Sequence, residues 1–242
     1  MLLTHGRREG LCGRAGEAAG ESEHAGGSGW RAPGWSVVSA GLSPVLLTTG
    51  WLVAGTLQPA SYSPVRQTLS VMAGDGGTDR WIMALAMLAT GGCYLVTAGG
   101  LYGLSPLARV LLAVAGVCSL GIVLAPDTGG GPTAPHIAFT VIGAVTITVW
   151  PAIAGWHAPL RPWAIGARGS LLVTLALSVM LAWVVVQTQD GTVLGLAERL
   201  TTSLATTWPF VVALLRWRPG TAGLPGATEV AVQGAAAAER RS

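Results

Sequence analysis

Six apolar stretches of about twenty residues each constrain this chain more than any motif in it. They run at 37–57, 81–102, 106–126, 135–156, 169–189 and 193–215. At about 1.5 Å of rise per residue, each is long enough to cross about 30 Å of hydrocarbon as a helix. Inside a bilayer every backbone N–H and C=O needs a partner within the chain, so stretches of this kind fold as helices. The sequence therefore predicts an all-α fold, a polytopic transmembrane helical bundle of six spans occupying residues 36–217. Residues 1–35 and 218–242 are expected to be disordered tails.

Local signals sharpen this picture. Ser105-Pro106 opens the third stretch with a good N-cap and first-turn pair. The sixth is the least apolar, because Glu198 and Arg199 interrupt it and Thr201, Thr202, Thr206 and Thr207 make it semipolar. An adjacent charge pair near a helix end can rest at the interface, so the span is retained. Composition agrees: 51% of the residues are apolar and 10% charged, against about 25% charged in soluble domains. All fourteen basic residues are arginine. That reads as the imprint of a GC-rich bacterial genome and not as a binding surface, and no nucleic-acid partner is expected.

Arginine placement predicts orientation. With the N-terminus inside, the cytoplasmic set is Arg7, Arg8, Arg14, Arg31, Arg109, Arg161, Arg168, Arg216, Arg218, Arg240 and Arg241, against Arg66, Arg80 and Arg199 outside. This asymmetry follows the positive-inside rule and places both termini in the cytoplasm, with the chain in the plasma membrane. Trp35, Trp156, Trp163 and Trp217 flank the inner side and Trp51, Trp81 and Trp183 the outer, as interfacial belts do. The first 35 residues hold four Arg and four Glu without a helical period. They read as a cytoplasmic tail, or as the product of an upstream start codon, and not as a secretory signal.

The largest external element is the loop 56–80. Ser63-Pro64 is expected to start a short interfacial helix there, with Val65, Leu69 and Met72 on one face and Gly74 ending it. Polar residues that stand out gather on this outer side: Tyr62, Arg66, Ser70, Asp79, Arg80, Asp127 and His136. A cation, a carboxylate and an imidazole drawn from Arg66, Asp127 and His136 could meet over the bundle and hold a lipid headgroup or relay protons. The plainer account has Asp127 capping a turn, His136 at the interface and Arg66 snorkelling to phosphates.

Other chemistries have less behind them. Cys12, Cys93 and Cys118 share no paired spacing, and Cys93 lies with Ala89 and Thr97 on a small-residue stripe that helix packing explains. His136 and His157 fall on opposite sides, too few and too far apart for zinc or heme, so no metal or cofactor is expected. A Ser70, His136 and Asp127 hydrolase set lacks a GxSxG elbow, and no catalytic residue is assigned. Trp150-Pro151 and Trp208-Pro209 read as helix-end geometry and not as gates. The glycine run 129–131 is a loop, since no strand precedes it. His157, Arg161 and Arg168 form an inner basic cluster suited to anionic lipid.

Several segments together resemble a known family. They are the run Tyr62–Ser70 (YSPVRQTLS), the run Asp79–Met83 (DRWIM), Ala98–Leu101, Arg109–Leu112, Gly116, the Pro126 and His136 pair, and Trp150-Pro151. The resemblance is to the bacterial membrane family catalogued as domain of unknown function 998, and it spans about residues 40–215. It implies a helical protein of five or six spans and no established activity. Arg66, Ser70, Asp79, Arg80 and His136 match its polar landmarks. Three roles follow as expectations: a non-enzymatic protein binding a lipid or small amphiphile at an outer vestibule around Arg66, Ser70, Asp79, Arg80, Asp127 and His136; a membrane enzyme acting there on a lipid-linked substrate; or an assembly partner of another membrane protein or of its own copies.

Overall fold

A computed structural model of the chain describes residues 30–128, 131–156 and 166–217. Cys12, Arg7, Arg8, Arg14, His157, Arg161, Trp163, Arg218, Arg240, Arg241 and most of both expected tails lie outside the described residues. Among those described there are seven helices and no strand. They are α1 (Gly34–Thr56), α2 (Leu69–Ala73), α3 (Trp81–Gly100), α4 (Pro106–Leu124), α5 (Ala134–Trp156), α6 (Ala167–Asp190) and α7 (Leu194–Arg216). Five of them, α1, α3, α4, α5 and α6, are long and apolar enough to cross a membrane, which makes this a multi-pass membrane protein. The long helix α7 falls outside that group, because Glu198, Arg199 and its threonines lower its hydropathy.

Each long helix packs on the next in the chain, and α7 returns to pack on α1, closing the six into a ring. Lipid tails are as apolar as leucine, so such contacts depend on close approach and hydrogen bonding, not on the hydrophobic effect. Between α3 and α4 the backbones approach through Gly91 and Gly116, where a Cβ on either would lie 2.8 Å from the other's carbonyl oxygen. Between α1 and α3, Ser39 Oγ donates to Cys93 O at 2.9 Å and Thr97 Oγ1 to Ser39 Oγ at 3.3 Å. The Cys93 and Thr97 stripe thus faces α1 inside the bundle, where an assembly surface would need it turned outward. Pro151 lies within α5 beside the fully buried Trp150. Trp150 Nε1 donates to Ala108 O and Ala152 N to Thr174 Oγ1, both at 2.9 Å, so neighbouring helices satisfy the groups around the proline. Ser105 caps α4 as expected, its Oγ accepting from Ala108 N at 3.2 Å.

The external helix is shorter than its sequence suggests. It begins at Leu69, not Ser63, because the carbonyls that would continue it are taken by α7. Arg199 Nη1 donates to Pro64 O and Gln67 O, at 2.6 and 2.9 Å, and Leu196 N donates to Val65 O at 3.0 Å. Residues 63–67 form a single turn closed by Gln67 N on Ser63 O, and Thr68 is extended. Leu69 and Met72 are buried, while Val65, expected on the same face, is exposed. The C-terminal limit at Gly74 agrees with the sequence.

Candidate functional site

The site forms where α1, α3 and α7 pack around α2. Leu69 and Met72 anchor α2 by packing on Leu47, Ala54, Met83 and Met87, with Trp51 and Tyr62 at the edge. This leaves packed side chains directly beneath α2, where the vestibule reading places a cavity. Because Leu69 points down, its neighbour Ser70 points sideways toward the first turn of α5. There Ser70 Oγ lies 3.2 Å from His136 Nε2. On its other side the ring is fixed by Nδ1, 2.8 Å from Ala125 O at the end of α4. A carbonyl can only accept, so Nδ1 carries a hydrogen and, in the neutral ring, Nε2 turns its lone pair toward the Ser70 hydroxyl.

Asp127 completes the group. Its Oδ1 is 3.3 Å from the same Nε2, and its side chain is 16% exposed against 6% for His136. Oδ1 is nevertheless buried without a hydrogen-bond partner among the described residues. A neutral His136 has no hydrogen to offer it, and Ser70 has only one. Buried carboxylate oxygens without a donor are costly, and the described residues supply none to this one. The loop carrying Asp127 is held by Asp75 N, which donates to Asp127 O at 2.9 Å.

A second layer comes from α7. Glu198 Oε2 accepts from Leu69 N at 2.7 Å. Arg199 is only 6% exposed. Besides Pro64 O and Gln67 O its Nη1 reaches Gly195 O at 2.9 Å, its Nη2 donates to Tyr62 Oη, and its Cζ lies 5.4 Å from the centre of the Trp51 ring. Burial raises the Tyr62 phenol above its ordinary range, while the adjacent Arg199 pulls it down. Gly195 permits this docking, since a Cβ there would meet Gln67 O at 2.2 Å.

Of the outer residues singled out in the sequence, Ser70, Asp127 and His136 come together. Arg66 is exposed and joined to neither Asp127 nor His136 by a hydrogen bond or ion pair. Arg80 pairs with Asp75 in solvent-exposed positions, and Asp79 is exposed at a positive φ of 47°. The buried cation on this side is Arg199 and not Arg66. A carboxylate and a guanidinium inside an otherwise apolar helix are expensive in a membrane, and that cost is the signal in the sequence that marks Glu198 and Arg199. Among the described residues no three His, Cys, Asp or Glu side chains are placed to hold a metal ion.

No curated protein and no solved structure matches the chain. A family model described as "Protein of unknown function (DUF998)" matches residues 29–215, which reaches every helix of the ring and stops one residue short of the end of α7. By that match, the chain belongs to the DUF998 family of proteins of unknown function.

Proposed function

We propose that the chain is a six-span protein of the plasma membrane, with cytoplasmic termini, whose outer cluster of Ser70, Asp127 and His136 engages the polar end of a lipid or small amphiphile. The observation that carries this reading is the buried Asp127 Oδ1, without a donor among the described residues, set beside a Ser–His pair. A ligand hydroxyl or amine would supply the missing hydrogen. Leu124, Ile137 and Val141, adjoining the cluster in sequence, are 82%, 49% and 55% exposed and offer an apolar path for the rest of the molecule. The sixth span would be α7, which equals α1 and α5 in length at 23 residues and packs on α1 and α6. Arg66, Asp79 and Arg80 would then contact headgroups around the mouth and not the bound molecule.

Photo-crosslinking with a diazirine-bearing phospholipid in reconstituted vesicles tests the reading. Crosslinks are expected at residues 70–73 and 136–141, and their loss is expected in Asp127→Asn. Uniform labelling around the ring would refute the site. Cysteine labelling of the two tails from either side of the vesicle checks the orientation.

An enzymatic reading is favoured by one specific observation. Ser70 Oγ and His136 Nε2 stand at nucleophile-to-base distance, with the ring oriented by Ala125 O. In that reading His136 takes the Ser70 proton as Oγ attacks the ester carbonyl of a lipid-linked substrate, returns it to the alcohol as the ester C–O bond breaks, and then activates water to hydrolyse the acyl-serine. A fluorophosphonate probe would then label Ser70 in the wild type and not in His136→Ala. A wild type that resists the probe leaves binding as the role of the cluster.

A further inference from the structure

At the opposite end of the bundle a lateral groove of about 380 Å³ runs between α3 and α4, bordered by Leu95 and Gly99 on one side and Pro106 and Val110 on the other. Among the described residues its walls are apolar and its one charged group is Arg109. That side chain is partly buried, and its Nε donates to Ala98 O at 2.9 Å. The bond fixes the plane of the guanidinium, while the terminal nitrogens have no partner among the described residues. Arg109 differs in this from Arg80, which is paired with Asp75, and from Arg199, whose terminal nitrogens are taken by the 62–67 loop. It also stands in the first turn of α4, whose N-terminus adds partial positive charge.

We propose that this groove binds one anionic phospholipid, its phosphate on the terminal nitrogens of Arg109 and an acyl chain lying between Leu95 and Val110. A guanidinium fork held by one edge presents its remaining donors in the geometry that a phosphate accepts. Among the described residues the walls carry no carboxylate to compete for it. Val110 is 55% exposed and Leu95 36%, so the groove opens sideways, along the direction in which a chain would lie. The site is separate from the Ser70 cluster and does not depend on any role assigned there.

Native mass spectrometry of the full chain released from detergent, with phosphatidylglycerol, phosphatidylcholine or inorganic phosphate added, tests the proposal. The wild type should retain phosphatidylglycerol in preference to phosphatidylcholine, and Arg109→Gln should weaken that retention about tenfold or more, as expected for the loss of charge-assisted hydrogen bonds. Gly99→Phe should abolish it with Arg109 still in place, because a Cβ at Gly99 meets nothing within 4 Å and the ring would fill the groove without disturbing the helices. Equal retention of the two lipids, unchanged binding in Gly99→Phe, or inorganic phosphate protecting the protein from heat as well as the lipid does would each overturn it. If Arg109→Gln fails to fold, the Gly99→Phe result decides alone.

Discussion

Glu198 in α7 accepts a 2.7 Å hydrogen bond from the backbone N–H of Leu69, the residue immediately before Ser70. This single bond ties the last long helix to the short external one, and it sets where Ser70 meets His136. We predict that Glu198→Ala, which leaves a helix-start N–H without its acceptor, destabilises the protein by about 1–3 kcal/mol. Glu198→Gln, which keeps an acceptor oxygen, should cost less than half as much. Equilibrium unfolding in mixed micelles separates the two, and equal costs would show that the charge and not the hydrogen bond matters.

Arg199 is the stronger clamp. Its removal in Arg199→Ala orphans the carbonyls of Pro64 and Gln67 and should cost about 3 kcal/mol or more. The loop 57–68 should become sensitive to protease at the same time. Arg199→Lys keeps the charge but cannot span two carbonyls and a phenol, so it should recover only part of the loss. Full recovery by lysine would mean that the fan of hydrogen bonds is dispensable.

The Ser70 and His136 contact should appear as an interaction energy. In a double-mutant cycle of Ser70→Ala and His136→Ala, contacting residues typically couple by about 0.5–3 kcal/mol. Strict additivity of the two single changes would place the hydroxyl and the ring out of contact.

Two helical glycines should respond in opposite directions. Gly195→Ala drives a methyl into Gln67 O and should destabilise the docking of α7 on the loop. At Gly92 a Cβ meets nothing within 4 Å, so Gly92→Ala should be neutral or stabilising by up to about 1 kcal/mol through helix propensity. Matching signs at the two positions would argue against the close approach.

Tyr62 makes alkaline pH informative. Its phenol is raised above the ordinary value of about 10, chiefly by burial, so its contribution to stability is complete below about pH 10. That contribution declines as pH rises through the higher folded-state value, because the ionised phenolate is disfavoured in its site. Unfolding midpoints measured at pH 8 and above pH 10 should fall more steeply for the wild type than for Tyr62→Phe. Parallel curves would remove Tyr62 from the account.

The helical content was legible because length and apolarity act locally: a stretch such as residues 81–102 has no other way to satisfy its backbone in lipid. Ser105-Pro106 is similarly local, and the cap formed as read. The short external helix was misread at its start for a non-local reason. Val65, Leu69 and Met72 have the right spacing, yet the carbonyls of residues 64, 65 and 67 bond to residues from 196 to 199. Arg66 and Arg199 were separated on the same ground. Both are arginines of the outer set, and only the ring closure of α7 on α1 decides which one is buried.

By itself the sequence determined that this chain is all-helical and built for a membrane, and it marked Ser70, Asp127 and His136 as polar residues of one face. Those properties follow from composition, period and order along the chain. The tertiary structure alone decided that Ser70 and His136 touch, that Asp127 Oδ1 is without a donor among the described residues, and that Glu198 and Arg199 hold the outer loop. These contacts join residues 66 to 135 positions apart, and a hydrogen bond depends on distances of tenths of an ångström that no linear pattern encodes.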